Sequence, residues 1–107
     1  MFTGKYFVEK LNMKEHPEGG YYNECLKSKD IIDAKAVDSS FDGNRKLWTS
    51  IYFLLKDRDV SRFHRLKSDE IWYFHSGVPM VIHIINKNGE LERVKLGLDI
   101  ERGEQPQ

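Results

Sequence analysis

The chain has 107 residues, with 17 Lys+Arg balanced by 17 Asp+Glu for a formal net charge of zero. This length fits one domain, read here as residues 1–107, and the charge balance lacks the basic excess that marks nucleic-acid or anionic-membrane binding. Hydrophobic residues make up 39% and aromatics 12%, enough for a core and too much for wholesale disorder. Cys25 is the single cysteine, so no internal disulfide forms and Cys25 reads as a structural or surface residue. The N-terminal stretch is charged throughout, and the longest apolar runs, 51–55 and 78–85, are too short to span a bilayer. A soluble protein of the reduced cytoplasm is expected.

In chain order, Thr3 is placed to cap a helix running to about Met13, with Phe2, Tyr6, Phe7, Lys10 and Leu11 as its stripe. His16-Pro17-Glu18-Gly19-Gly20 breaks it. Proline keeps the preceding residue out of the helical region, and the glycines admit positive φ. The period then changes to two. Residues 21–26 read as a strand, 27–46 as a polar loop with a turn at 41–44, and 47–55 as the strongest strand signal. Leu47, Thr49, Ile51, Phe53 and Leu55 share one face of that strand by alternation. Further strands are predicted over 61–66, 70–75, 78–85 and 90–96. Turns fall at 56–59 and 67–69, and Asn88-Gly89 marks a hairpin. Short strands, close turns and one helix describe a mostly β protein, an antiparallel barrel or sandwich over about 20–107.

The stretch Ser61 to Glu70 concentrates the chemistry. With 61–66 and 70–75 paired as strands, His64 and Glu70 point into one cavity with Leu66, Trp72 and Phe74. An imidazole and a carboxylate in an aromatic hollow are equipped for binding or acid–base work. His16 and Glu18 are candidates for the pocket lip or, alternatively, a rigid turn locking the helix to the barrel. Arg62 and Arg65 flank the site as a solvated rim.

His64, Leu66, Glu70 and Gly77 follow the spacing of the first motif of the cupin superfamily, with Leu66 where that motif has its second histidine. The segments 16–22, 50–55, 61–66, 68–72 and 103–107 together resemble one small cupin family of largely unassigned activity, similar to sugar-nucleotide epimerases. The resemblance implies a jelly-roll barrel with a short N-terminal helix. It also implies that the barrel is incomplete at the C-terminus, since family members continue past this point into a second cupin motif. It casts His64 and Glu70 as catalytic residues. His16, Glu18, Tyr21, Thr49, Ile51, Phe53, Leu66, Trp72 and Phe74 become ligand contacts. No metal or other cofactor is expected, because Leu66 cannot coordinate and His64 with Glu70 gives two ligands where a catalytic metal site normally has three.

Two functions compete. One is metal-independent epimerase- or isomerase-like chemistry on a small molecule, since proton abstraction beside a carbonyl needs a base that titrates near neutrality. The other is a non-catalytic ligand-binding or interaction module with a vestigial pocket. A homodimer is expected, because open sheet edges and uncovered inner-face aromatics invite pairing with a second copy.

Overall fold

Thr3 starts the first helix by accepting a hydrogen bond from the Tyr6 N–H through its hydroxyl at 3.2 Å, and α1 runs Gly4–Lys10. The computed structural model describes residues 2–107, and the chain divides into two compact units after Lys67. The helix stops short of Met13 because Asn12 turns left-handed at φ 49°. The Met13 N–H reaches the Val8 carbonyl at 2.9 Å and the Asn12 N–H reaches Glu9 at 3.4 Å, a Schellman closure. Asparagine tolerates that conformation better than most side chains.

The first unit then lays down β1 (Lys14–Glu15) and β2 (Tyr21–Lys27). β3 (Ile31–Asp33) and β4 (Asn44–Lys46) follow, then β5 (Thr49–Leu54). β1, β2 and β5 form an antiparallel sheet in that order. Its register decides what each face carries, because directly opposed residues project to the same side. Tyr21 opposes Leu54 and Asn23 opposes Tyr52 on one face, while Tyr22 opposes Phe53 and Glu24 opposes Ile51 on the other. The Asn23 side chain donates to the Leu11 carbonyl at 2.8 Å, which seats the end of α1 on the first face and leaves the second free of the helix. A bulge between Glu24 and Leu26 places Cys25 where its Sγ meets the Ser50 carbonyl at 3.3 Å.

Three sequence expectations change. Residues 27–46 are not only loop: β3 and β4 pair as a hairpin around a single 3-10 turn at Ala34–Ala36. Few apolar positions signal it. It is held by local polar contacts, with Asp33 capping Lys35 at 3.1 Å and the Ala34 N–H bonded to the Gly43 carbonyl, over buried Ala34 and Phe41. Gly43 does take the expected turn, at φ 68°. The other two changes are the strands predicted over 61–66 and 70–75, which do not form. A strand needs a ladder, not alternation alone. The backbone N–H of Arg62 is instead bonded to the Glu18 carbonyl, and that of Phe74 to the Pro106 carbonyl.

The second unit is built on a hairpin of β6 (Met80–Ile85) and β7 (Leu91–Leu96). Asn86 organises its turn. The Asn86 Oδ1 accepts from the Asn88 and Glu90 N–H groups at 2.9 and 3.0 Å, and Gly89 takes φ 80°. After β7 the chain makes a 3-10 turn at Ile100–Arg102 and returns, with Gln105 bridged to Leu96 in parallel. The Gln105 N–H donates to the Lys95 carbonyl at 2.8 Å, and the Gly97 N–H donates to the Gln105 carbonyl at 2.9 Å. Glu104 lies beneath this loop, only 6% exposed. Its Oε2 accepts from the Asp99 N–H at 2.7 Å, and its Oε1 is 3.6 Å from the Lys95 Nζ. The carboxylate fits only because residue 97 is glycine: a Cβ there would collide with Glu104 Oε2 and stand 3.2 Å from the Pro79 Cβ.

The protein is thus mostly β with one N-terminal helix, and its strands pair within separate sheets that do not close into one barrel among the described residues. Buried apolar residues are few: Met13, Ala34, Phe41 and Leu96. Glu104→Ala is expected to leave the Asp99 N–H without its acceptor and to lower unfolding stability by about 1–3 kcal/mol. A urea midpoint equal to that of the parent protein would contradict this role for Glu104.

Candidate functional site

The site grows out of the turn at residues 16–20. Pro17 forbids helix at His16. The His16 N–H closes onto the Gly20 carbonyl at 2.8 Å, and the Gly19 N–H returns to the His16 carbonyl at 3.0 Å. Gly19 and Gly20 take φ 116° and 76°, where glycine alone is unstrained. They also admit close neighbours. A Cβ on Gly19 would collide with the Val60 carbonyl oxygen, and one on Gly20 would lie 2.7 Å from the Leu54 carbonyl oxygen and 3.2 Å from the Phe53 ring.

Arg62 straps the following segment to this turn. Its backbone N–H donates to the Glu18 carbonyl and its guanidinium to the Pro17 carbonyl, both at 2.7 Å. Sequence reasoning had placed Arg62 on a solvated rim. The signal available was its position two residues before His64, since fixing one backbone places the other side chain. As a result His64 stands beside His16, with ring centroids 6.4 Å apart and planes inclined by 36°. Tyr22 and Phe53, an opposed pair on the sheet face away from α1, meet the His16 ring at 5.2 and 5.5 Å in near-perpendicular contacts. Tyr22 lies in the 16–22 segment and the strand at 21–26 without being a candidate ligand contact by sequence, and its cross-strand pairing with Phe53 follows once the register is known.

The two imidazoles are held by opposite kinds of hydrogen bond. The Nδ1 of His16 accepts from the Glu18 backbone N–H at 3.0 Å. The Nδ1 of His64 lies 2.8 Å from the Arg62 carbonyl oxygen, which can only accept, so His64 is the donor. The tautomers assigned from these partners differ: His16 carries its proton on Nε2 and His64 on Nδ1.

The remaining predicted residues distribute as follows. Thr49 and Ile51 share the Phe53 face of β5 by alternation and are exposed. Glu18 is half-buried within the turn. Tyr21 stands on the opposite face, where Lys56 approaches its ring at 4.4 Å. Tyr21 also lines a shallow hollow of about 220 Å³ with Glu15, His16, Gly19, Gly20 and Asp59. Ligand pockets are usually about 300–1,000 Å³, so this hollow is too small for a nucleotide-sized molecule. Leu66 is exposed in the first unit. In the second unit Glu70 is exposed and Trp72 and Phe74 are half-buried. The structure therefore brings together His16, His64, Tyr22 and Phe53.

The comparisons with known proteins agree with this fold. A search of curated proteins finds no match. A crystal structure of a protein from Shewanella oneidensis is similar at 42% identity and a TM-score of 0.84, covering 99% of this chain and 61% of that one. A hypothetical protein from Leishmania major is similar at 34% identity and a TM-score of 0.86, covering 98% of this chain and 62% of that one. The chain thus spans about three-fifths of the length of both. The family described as Cupin superfamily (DUF985) matches residues 5–107, across both units. From the segments that carry the resemblance, the helix-plus-β fold and this match, the chain belongs to that cupin family.

Proposed function

We propose that this cupin chain, acting as a single domain of the cytoplasm, binds a small molecule on the Tyr22–Phe53 face of its first sheet. His64 is the base of a metal-independent, epimerase- or isomerase-like reaction there. The observation that carries this reading is the pairing of two backbone-anchored imidazoles 6.4 Å apart beside an aromatic surface. An imidazole titrates close enough to neutrality to exchange protons with a substrate. The metal-independent form is supported by the donor set. The assigned His16 tautomer presents an N–H rather than a lone pair, and Leu66 supplies no ligand. Thr49 and Ile51 extend the ligand-bearing face, and Glu18 and Tyr21 border the turn that fixes His16. Glu70, Trp72 and Phe74 have roles proposed from the family motif alone. No described helix is long and apolar enough to cross a membrane.

A non-catalytic binding module is the second reading, favoured by the exposure of His64 and the smallness of the one hollow described above. We further propose that a second copy of the chain covers apolar surface. Among the described residues Trp48 is 53%, Leu91 51% and Ile85 60% exposed, and such surface with open sheet edges favours association.

The test of binding is a thermal-shift screen of sugar nucleotides, nucleotides and keto acids. A ligand present at 100 times its Kd stabilises the native state by about 2.7 kcal/mol, and the shift is expected to vanish in His64→Ala. A panel without a single shift, or a shift that survives His64→Ala, would refute the site. Turnover of the ligand decides for catalysis, and binding without turnover decides for the module. Light scattering at micromolar concentration is expected to give the dimer mass. A monomeric mass with cooperative unfolding would remove the second copy from the proposal.

A further inference from the structure

The opposite anchoring of His16 and His64 carries a more specific consequence, which rests on the proposed function of the same site. The Nδ1 of each ring is engaged by the backbone, which leaves Nε2 to meet a ligand. In the neutral protein the two Nε2 atoms differ. That of His16 is an N–H donor, because its Nδ1 lone pair holds the Glu18 N–H at 3.0 Å. That of His64 is a bare lone pair, because its Nδ1–H is bonded to the Arg62 carbonyl at 2.8 Å. Neither assignment depends on a mobile partner. The Glu18 and Arg62 backbones are themselves joined by the Arg62 N–H to Glu18 carbonyl bond, so the two groups that fix the tautomers are tied to each other.

We propose that His16 and His64 form a donor–acceptor couple that recognises an enolisable carbonyl compound, such as an α-hydroxy aldehyde or ketone, with His16 as its electrophile. The His16 Nε2–H hydrogen-bonds the carbonyl oxygen, as a neutral imidazole can, while the His64 Nε2 takes the proton from the adjacent carbon. The C–H bond breaks, its electron pair becomes the carbon–carbon double bond, and the carbonyl π pair moves onto oxygen. The resulting enolate oxygen stays bonded to His16, which keeps its proton, and His64 is left as the imidazolium. Return of a proton to the carbon it left ends the cycle with no net oxidation: from His64 it regenerates the substrate, and from water on the opposite face it inverts the centre, whereas isomerisation also requires the neighbouring hydroxyl to pass its proton to the enolate oxygen before the former carbonyl carbon is protonated. The Tyr22–Phe53 contacts on the His16 ring hold its plane, so the donor is directed without relying on the ligand. Like tautomers would instead give two donors or two acceptors, a pattern suited to binding an anion or a cation and not to this chemistry.

The experiment has two readouts. Two-bond nitrogen–proton correlation spectra of the protein labelled at histidine nitrogen, at a pH of about 8 where ordinary imidazole is neutral, are expected to show His16 as the Nε2–H and His64 as the Nδ1–H form. Either ring in the other tautomer overturns the couple while leaving the binding site open to the ligand screen. The second readout is exchange of carbon-bound hydrogen for deuterium in dihydroxyacetone, incubated with the protein in heavy water. The variants are His16→Asn and His64→Asn. An Asn side chain can keep the short-range bond to Glu18 or to Arg62 and removes the group at Nε2 together with the ring. Exchange is expected to fall at least tenfold in each variant, with a cooperative urea transition retained. Exchange by the parent protein that survives in His16→Asn removes His16 as the electrophile. No exchange by the parent protein, with the expected tautomers in place, overturns the carbonyl assignment, whereas a ligand found by thermal shift would still uphold the binding function.

Discussion

Close backbone approach at the 16–20 turn is the constraint on which the first unit depends. Gly19 sits against the Val60 carbonyl and Gly20 against the Leu54 carbonyl, distances that no side chain allows. From this contact follow the hairpin between β1 and β2, the position of the Arg62 strap, and the meeting of His16 with His64. The order of causes runs from backbone conformation to site. Positive φ at two glycines admits β5 and the non-strand segment that follows it, that segment brings Val60 and Arg62, and Arg62 places the imidazole two residues later.

The same sheet separates two tasks by side. Alternation puts Tyr21, Asn23, Tyr52 and Leu54 on one face, where Asn23 holds the carbonyl of Leu11, the residue that follows α1. Tyr22, Glu24, Ile51 and Phe53 take the other face, which stays clear of the helix. The imidazole pair lies on that free side. Cupin chemistry is usually organised by a metal held on several histidines, and here one of those positions is Leu66. His64 stands at the place of a motif histidine, beside a histidine from a different segment, and main-chain hydrogen bonds engage the Nδ1 of both rings.

The second unit uses a different device. Its large apolar side chains are mostly exposed, with Leu96 alone among them fully buried, and a nearly buried carboxylate organises the chain that returns beside β7. Glu104 accepts from Asp99 and pairs with Lys95, so its charge is met on both oxygens. Such an arrangement contributes less to net stability than to fixing one conformation, because desolvation offsets much of the Coulombic gain. Gly97 is the complement of Glu104: the missing side chain of one makes room for the carboxylate of the other. The tail is then bonded to Lys95, Gly97 and, through Pro106, to Phe74.

The sequence by itself determined the elements whose signals are local. Thr3 announced the start of α1, the alternation at 49–54 and 91–96 announced strands, and Asn88-Gly89 announced the second hairpin. The family was also legible, because the order of its short segments along the chain survives without any knowledge of contacts. Tertiary structure alone decided the rest. Alternation at 61–66 and 70–75 promised strands, but a ladder requires a partner at the right distance, and that is not encoded in either segment. His16 and His64 are 48 positions apart, and nothing in their spacing reveals that a glycine turn and an arginine strap set their rings side by side. The donor or acceptor character of each ring was equally hidden, because an imidazole takes its tautomer from the atom its Nδ1 meets, and that atom is chosen by the folded backbone.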